Sequence, residues 1–216
     1  MEIKKGKINV FIGTSGSGKK EVVSSLVKNA EMCDLFLESF QNHSIEEVLS
    51  LQTKSQKKQK EALQMIGFSE DDLKRSLKML SLGELERLSV AYTLCSKRDT
   101  YIFCHPSVGL DAKNKKSLIK LFRLLKTRYK KTIVVISHDS NWVHQFADFL
   151  FVVYNNNVVS TGTTYDIFCD KELCKKYDIK RPDIIEFEDF VFEKKKKRLG
   201  YRNDIKDLIK DIYRNI

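Results

Sequence analysis

The sequence predicts an α/β fold with a mostly parallel sheet, and three observations predict it. Apolar segments of strand length (7–12, 100–104, 132–137) alternate with amphipathic stretches of helical period. The first apolar segment opens directly onto the glycine-rich run Gly13-Thr14-Ser15-Gly16-Ser17-Gly18-Lys19-Lys20. The length, 216 residues, suits one domain with a small appendage and is enough to bury a real core.

The glycine-rich run has the spacing of a phosphate-binding P-loop: Gly13, four residues, then Gly18-Lys19. Glycines let backbone N–H groups turn inward on an anion, and the helix that follows adds its dipole. The lysine reaches the outer phosphates. One position departs from the pattern. The residue after the lysine holds Mg²⁺ when it is Ser or Thr, and here it is Lys20.

Along the chain, 7–12 reads as a buried strand and 21–30 as a helix with Val22, Val23, Leu26 and Val27 on one side. A second strand is expected over 33–40, ending at Gln41. Residues 44–80 carry helical spacing, with the polar stretch 52–60 readable as an exposed helix or a loose connection. Ser81 opens a helix to about Cys95. Strands over 100–104 and 132–137 flank a loop at 106–110 and an amphipathic helix over 113–129. A short helix is expected over 142–146. Strands over 149–154 and 158–160 border an Asn-rich turn at 155–157, and a helical tail begins at 165–168. Past residue 171 charged helical segments surround Pro182. The expected division is a nucleotide-binding domain over 1–170, with a helical subdomain at about 42–98, and a C-terminal helical extension over 171–216.

A formal charge of +10 raises nucleic acid or an anionic membrane as partners. The excess is spread along the chain, and the run Lys194-Lys195-Lys196-Lys197-Arg198 reads as a solvated helix face. No aromatic-and-basic recognition motif accompanies it, so nucleic acid is not an expected partner. The five cysteines make neither a CxxC pair nor a zinc spacing, which suggests reduced thiols and a cytosolic setting. No signal-peptide core is present, and no apolar run is long enough to span a bilayer. Any membrane role is that of a peripheral subunit.

Other segments narrow the P-loop reading. Leu80-Ser81-Leu82-Gly83-Glu84-Leu85-Glu86-Arg87 resembles the LSGGQxxR signature of ABC ATPases. Tyr101-Ile102-Phe103-Cys104-His105-Pro106-Ser107-Val108-Gly109-Leu110-Asp111 resembles their Walker B strand and D-loop. The strand ending at Ser137, followed by His138-Asp139, resembles the switch-histidine strand, and Gln41 the Q-loop. Gly162 with Asp166-Ile167-Phe168 resembles the closing segment. The ordered set covers about 7–170 and is far more specific than any one motif. The layout beyond 171 resembles the C-terminal extension of energy-coupling factor transporter ATPases, which in that family helps two ATPase subunits pair.

The resemblance implies a P-loop NTPase fold of ABC type with a helical insertion and an antiparallel β-subdomain largely missing. It implies ATP as cofactor, held by Gly13 to Lys20, with Ser81, Gly83 and Asp111 serving a nucleotide shared with a partner. His138 and Gln41 take catalytic-site roles. Implied partners are a second ABC ATPase subunit and a membrane-embedded transporter subunit, at the cytoplasmic face of the cell membrane. There the pair couples ATP binding and hydrolysis to substrate uptake.

The departures fall together. Lys20 replaces a direct Mg²⁺ ligand, Cys104 the Walker B aspartate, His105 the glutamate that polarises water, and Leu82 the first signature glycine. No metal ligand is therefore assigned. Losing a positioned base costs about 10²–10⁴ in rate, and losing the metal removes a further electrostatic contribution. His105 is a candidate base, the alternative being a histidine with no chemical role. The chain starts at the strand before the P-loop. The aromatic residue that stacks on adenine in the family is thus expected to be missing, with base recognition poor or supplied by a partner. Three functions follow as expectations: a transporter subunit with a degenerate site of its own, an atypical active ATPase, or a basic ABC-like protein binding nucleic acid.

Overall fold

The structure, a computed structural model, describes residues 2–27, 32–33, 40–96, 98–196, 200–202 and 205–215. It divides into two compact units, one of residues 1–7 and 24–136 and one of residues 8–23 and 137–216.

The first unit carries three parallel strands: β2 (Met32–Cys33), β3 (Thr100–Cys104) and β4 (Thr132–Ser137). Thr100 pairs with Thr132 and Cys104 with Ile136. All six residues of β4 are buried, as expected of a Val/Ile run covered on both faces of a parallel sheet. Helix α5 (Ala112–Thr127) turns Leu118, Leu121, Phe122 and Leu125 inward, and Phe122 meets Phe103 with ring centroids 4.9 Å apart. A fully buried leucine or phenylalanine of this kind stabilises by about 1.5–3 kcal/mol.

The stretch expected to be helical over 44–80 is broken. It forms α2 (Ile45–Ser50), α3 (Gln56–Met65) and two 3₁₀ turns at Asp71–Lys74 and Leu77–Met79. Helix α3 stops before Gly67, whose φ of +82° is readily taken by glycine alone. Helix α4 (Leu82–Cys95) begins where Ser81 predicts. Ser81 Oγ accepts from the Glu84 N–H, while the Glu84 carboxylate accepts from the Ser81 N–H at 2.8 Å, which is a capping box. Ile45, Leu49, Leu63, Leu77 and Leu88 form a separate core for this helical region.

The second unit pairs β1 (Ile8–Ile12) with β5 (Phe149–Tyr154) in parallel and β5 with β6 (Asn157–Gly162) as an antiparallel hairpin. Phe11 stacks on Phe151 at 4.5 Å. Asn155 and Asn156, both with positive φ, make the tight turn. Helix α1 (Lys19–Leu26) follows the glycine-rich loop, and residues 28–30 of the expected 21–30 span lie outside the described residues. The helices α6 (Ser140–Val143), α7 (Thr164–Phe168), α8 (Lys171–Lys176), α9 (Asp183–Lys195) and α10 (Ile205–Asn215) complete this unit. Most of the strand expected over 33–40 lies outside the described residues.

Candidate functional site: a phosphate-binding loop and a signature helix

The glycine-rich loop is held by the turn of the β5–β6 hairpin. Asn156 N–H donates to the Ser17 carbonyl at 2.9 Å. A Cβ at Gly18, where φ is +84°, would overlap the Asn156 side chain. One at Gly13 would overlap the Val153 carbonyl and stand 2.8 Å from Ser17 Oγ. Two of the motif glycines therefore serve close approach of the hairpin as well as loop geometry.

Lys19 is 5% exposed. Its ammonium donates to the carbonyls of Gly13 (3.0 Å) and Thr14 (2.6 Å) and to Ser17 Oγ (3.2 Å). Burial holds its pKa below the usual lysine value, against a pull upward from Glu21. The positive charge thus rests inside the loop on neutral acceptors. A phosphate arriving there exchanges those dipoles for a full negative charge, a stronger partner for an ammonium. Ser15 and Gly16 are exposed, Ser17 is buried, and Lys20 is half-buried in the first turn of α1. The loop, the N-terminus of α1 and Lys19 fit the phosphates of a nucleotide.

His138 is exposed just beyond β4, and Asp139 caps α6 by accepting from the Trp142 N–H at 3.0 Å. His138 borders a cavity of about 390 Å³ with Gly13, Thr14, Ser140, Asp178 and Lys180.

In the first unit, Gln41 is exposed, and its carbonyl accepts from Ser76 Oγ and Lys78 N–H, both at 3.0 Å. His105 directly follows β3 with φ of +48°, and its N–H donates to the Ile136 carbonyl at 2.9 Å. Cys104 is half-buried before it. Asp111 caps α5, its carboxylate accepting from the Asn114 N–H at 2.7 Å. Ser81 and Gly83 open α4, and a Cβ at Gly83 would lie 3.0 Å from the Gly109 carbonyl. Leu82 is 56% exposed, with its side chain over Gly109. Glu84 also pairs with Arg75 at 3.0 Å. Hydrogen bonds from Ser81 first, then Arg75, hold its carboxyl below the usual range. The start of α4 thus presents a leucine and a neutralised carboxylate beside Ser81.

Lys20 and Cys104, which the resemblance sets at metal positions, are not magnesium ligands. Magnesium takes oxygen ligands in near-octahedral array, whereas position 20 offers an ammonium and position 104 a thiol. No group of three His, Cys, Asp or Glu side chains is placed to hold a metal among the described residues.

Sequence reasoning missed the hairpin wedge at Asn156, which showed only as a turn. It also missed the packing of Leu82 on Gly109 and the part residues 178–180 play in lining the cavity. The Asn-rich composition of 155–157 was the one signal available for the first, and no sequence pattern marks the other two.

No protein-family model matches the chain. It is 32% identical over 130 residues to the energy-coupling factor transporter ATP-binding protein EcfA2 of Staphylococcus aureus strain MRSA252. That match covers 60% of this chain and 45% of the relative. It is 30% identical over 143 residues to EcfA2 of strain USA300, covering 66% of this chain and 48% of the relative. The chain spans about half the length of the curated relatives it matches. Among solved structures it is similar to cbiO1 of Clostridium perfringens, described as part of the ABC transporter complex cbiONQ. There the TM-score is 0.65 at 21% identity, over 88% of this chain and 90% of that one. It is also similar to a nucleotide-free ATP-binding cassette from an ABC transporter, with a TM-score of 0.70 at 16% identity, over 81% and 89% of the two chains. By sequence the chain is similar to the energy-coupling factor transporter ATP-binding proteins over about half their length, and its α/β fold is like that of ABC transporter ATP-binding cassettes.

Proposed function

We propose that this chain is an ATP-binding subunit of an ABC transporter of the energy-coupling factor kind, one whose own nucleotide site binds phosphates and hydrolyses little. The observation that carries the reading is the contrast within the site. The loop from Gly13 to Lys19 retains its glycines and its buried, loop-bound lysine, while Lys20, Cys104 and His105 stand where metal and base chemistry is needed. When bound, ATP supplies the phosphoryl groups whose binding closes such subunits on one another. Lys19 and the loop N–H groups hold those phosphates, and Lys20 adds a single charge without coordination geometry.

A second ATPase subunit is the partner for Ser81 and Gly83, and the exposed Ile205, Ile209 and Tyr213 of α10 support pairing by the C-terminal extension. A membrane-embedded transporter subunit is the partner for Gln41 and the helices after it, where Leu51 and Met79 expose apolar surface. The subunit then works at the cytoplasmic face of the membrane. Among the described residues, no helix is long and apolar enough to cross a bilayer.

The test is hydrolysis by the purified chain with ATP and Mg²⁺, beside the triple variant Lys20→Ser, Cys104→Asp, His105→Glu. A barely measurable rate that rises in the variant is expected. A native rate normal for a cassette ATPase contradicts the degenerate site. One observation favours the second reading, an atypical active ATPase. His105 is held with φ of +48° at the end of β3, and strained residues gather at reacting centres. On that reading His105→Ala abolishes hydrolysis by the assembled complex, and an unchanged rate removes it.

A further inference from the structure

The cavity beside the P-loop is closed on one side by a segment that the phosphate-loop motif does not include. Its volume is about 390 Å³, ample for a phosphoryl group, and its wall runs from Gly13 and Thr14 past His138 and Ser140 to Asp178 and Lys180. Ser140 is 4% exposed, and its Oγ has no hydrogen-bond partner. A buried hydroxyl without a partner is destabilising, which makes it a donor in want of an acceptor.

The segment carrying Lys180 is fixed. Ile179 is buried, and its N–H donates to the Cys174 carbonyl at 2.8 Å. Arg181 Nε donates to the Phe168 carbonyl at 2.8 Å, and its other end pairs with Asp189 at 2.7 Å. Lys180 itself pairs with Asp183 at 3.2 Å, and both side chains are 68% exposed. An exposed pair of this kind is worth little and exchanges readily. A rigid backbone therefore holds an exchangeable cation at the rim of a cavity whose floor is the P-loop.

We propose that Lys180, carried by the C-terminal extension, binds the terminal phosphoryl oxygens of a nucleoside triphosphate seated on the P-loop, with Ser140 Oγ donating beside it. This rests on the reading that the loop holds nucleotide phosphates. Lys180 supplies positive charge beside a loop in which Lys20 follows the phosphate-loop lysine. Asp178 shares the rim, one residue short of Ile179, and its carboxylate opposes the same phosphate. On this proposal the third phosphate is the one that Lys180 meets, so the extension distinguishes triphosphate from diphosphate. The Lys180–Asp183 pair opens when triphosphate binds, at the first residue of α9.

Calorimetric titration of the full chain with ATP and with ADP, without Mg²⁺, tests this. Lys180→Gln is expected to weaken ATP binding about tenfold, the scale of one charged hydrogen bond, and to leave ADP binding nearly unchanged. Lys180→Arg retains ATP binding, and Asp178→Asn strengthens it. If Lys180→Gln binds ATP as the native chain does while Lys19→Ala loses both nucleotides, the role of Lys180 is overturned and the P-loop reading stands. Equal losses of ATP and ADP in Lys180→Gln also overturn the role, since they mark a structural effect. If the native chain binds neither nucleotide, both readings fail.

Discussion

Asn141 and Asp183 exchange two hydrogen bonds across 42 positions of sequence. The Asp183 N–H donates to Asn141 Oδ1 at 2.7 Å, and Asn141 Nδ2 donates to the Asp183 carboxylate at 2.8 Å. Helix α9 starts after Pro182, which offers no side-chain cap, so the amide of Asn141 on α6 caps it from outside. The segment that follows His138 is thereby joined to the C-terminal extension.

Asn141→Ala is expected to cost about 1 kcal/mol, the usual value of an N-cap. The loss should concentrate in α9. Hydrogen exchange at the first turn of α9 is the measurement, with faster exchange there than in β5 the expected result.

Gly18 and Asn156 are packed against one another. Gly18→Ala should destabilise the chain through two separable causes: overlap with Asn156 and a side chain forced to φ of +84°. The positive-φ part is worth about 1–2 kcal/mol. Adding Asn156→Gly should relieve the overlap with the Asn156 side chain and leave the close approach of the residue-156 Cα (2.9 Å) and the positive-φ part, as read from denaturant midpoints of the variants.

Glu86 lies half-buried on α4, and desolvation pushes its carboxyl up to about 7 from an ordinary 4.5. The folded state therefore holds the proton more tightly than the unfolded one. Stability from this group is present below pH 4.5 and is lost as pH rises through about 7. Glu86→Gln is expected to stabilise at pH 8 and to change little at pH 4, in thermal melts at the two values.

His144 shows the opposite sign. It is 1% exposed, its Nε2 lacks a partner, and the ring of Tyr201 meets it edge-on at 5.2 Å. Burial pushes its pKa down to about 4 from 6.5. The unfolded state then binds the proton first, so stability falls as pH drops from 6.5 towards 4, by up to about 1.4 kcal/mol per pH unit. His144→Phe should flatten that part of the stability profile.

Much of the fold was legible because its signals are local. The strands at Thr100–Cys104, Thr132–Ser137 and Phe149–Tyr154 coincide with their β-branched and aromatic runs, and Ser81 with Glu84 marks the start of α4. Residues 44–80 misled because helical spacing persists through two 3₁₀ turns, where Leu73 and Leu77 are buried without a helix to carry them. The P-loop could be read from its glycines. Its partners could not: Asn156, Lys180 and the Asn141–Asp183 pair depend on contacts between residues far apart in sequence, and no periodicity encodes those.

On the function proposed above, the cradle around Lys19 binds nucleotide phosphates without the metal. ATP affinity of the isolated chain, measured in excess chelator and again with millimolar Mg²⁺, tests it most directly. The same dissociation constant is expected in both, within about twofold, and its loss in Lys19→Ala. Binding that appears only with Mg²⁺, or tightens more than about tenfold on adding it, contradicts a cradle that works without the metal.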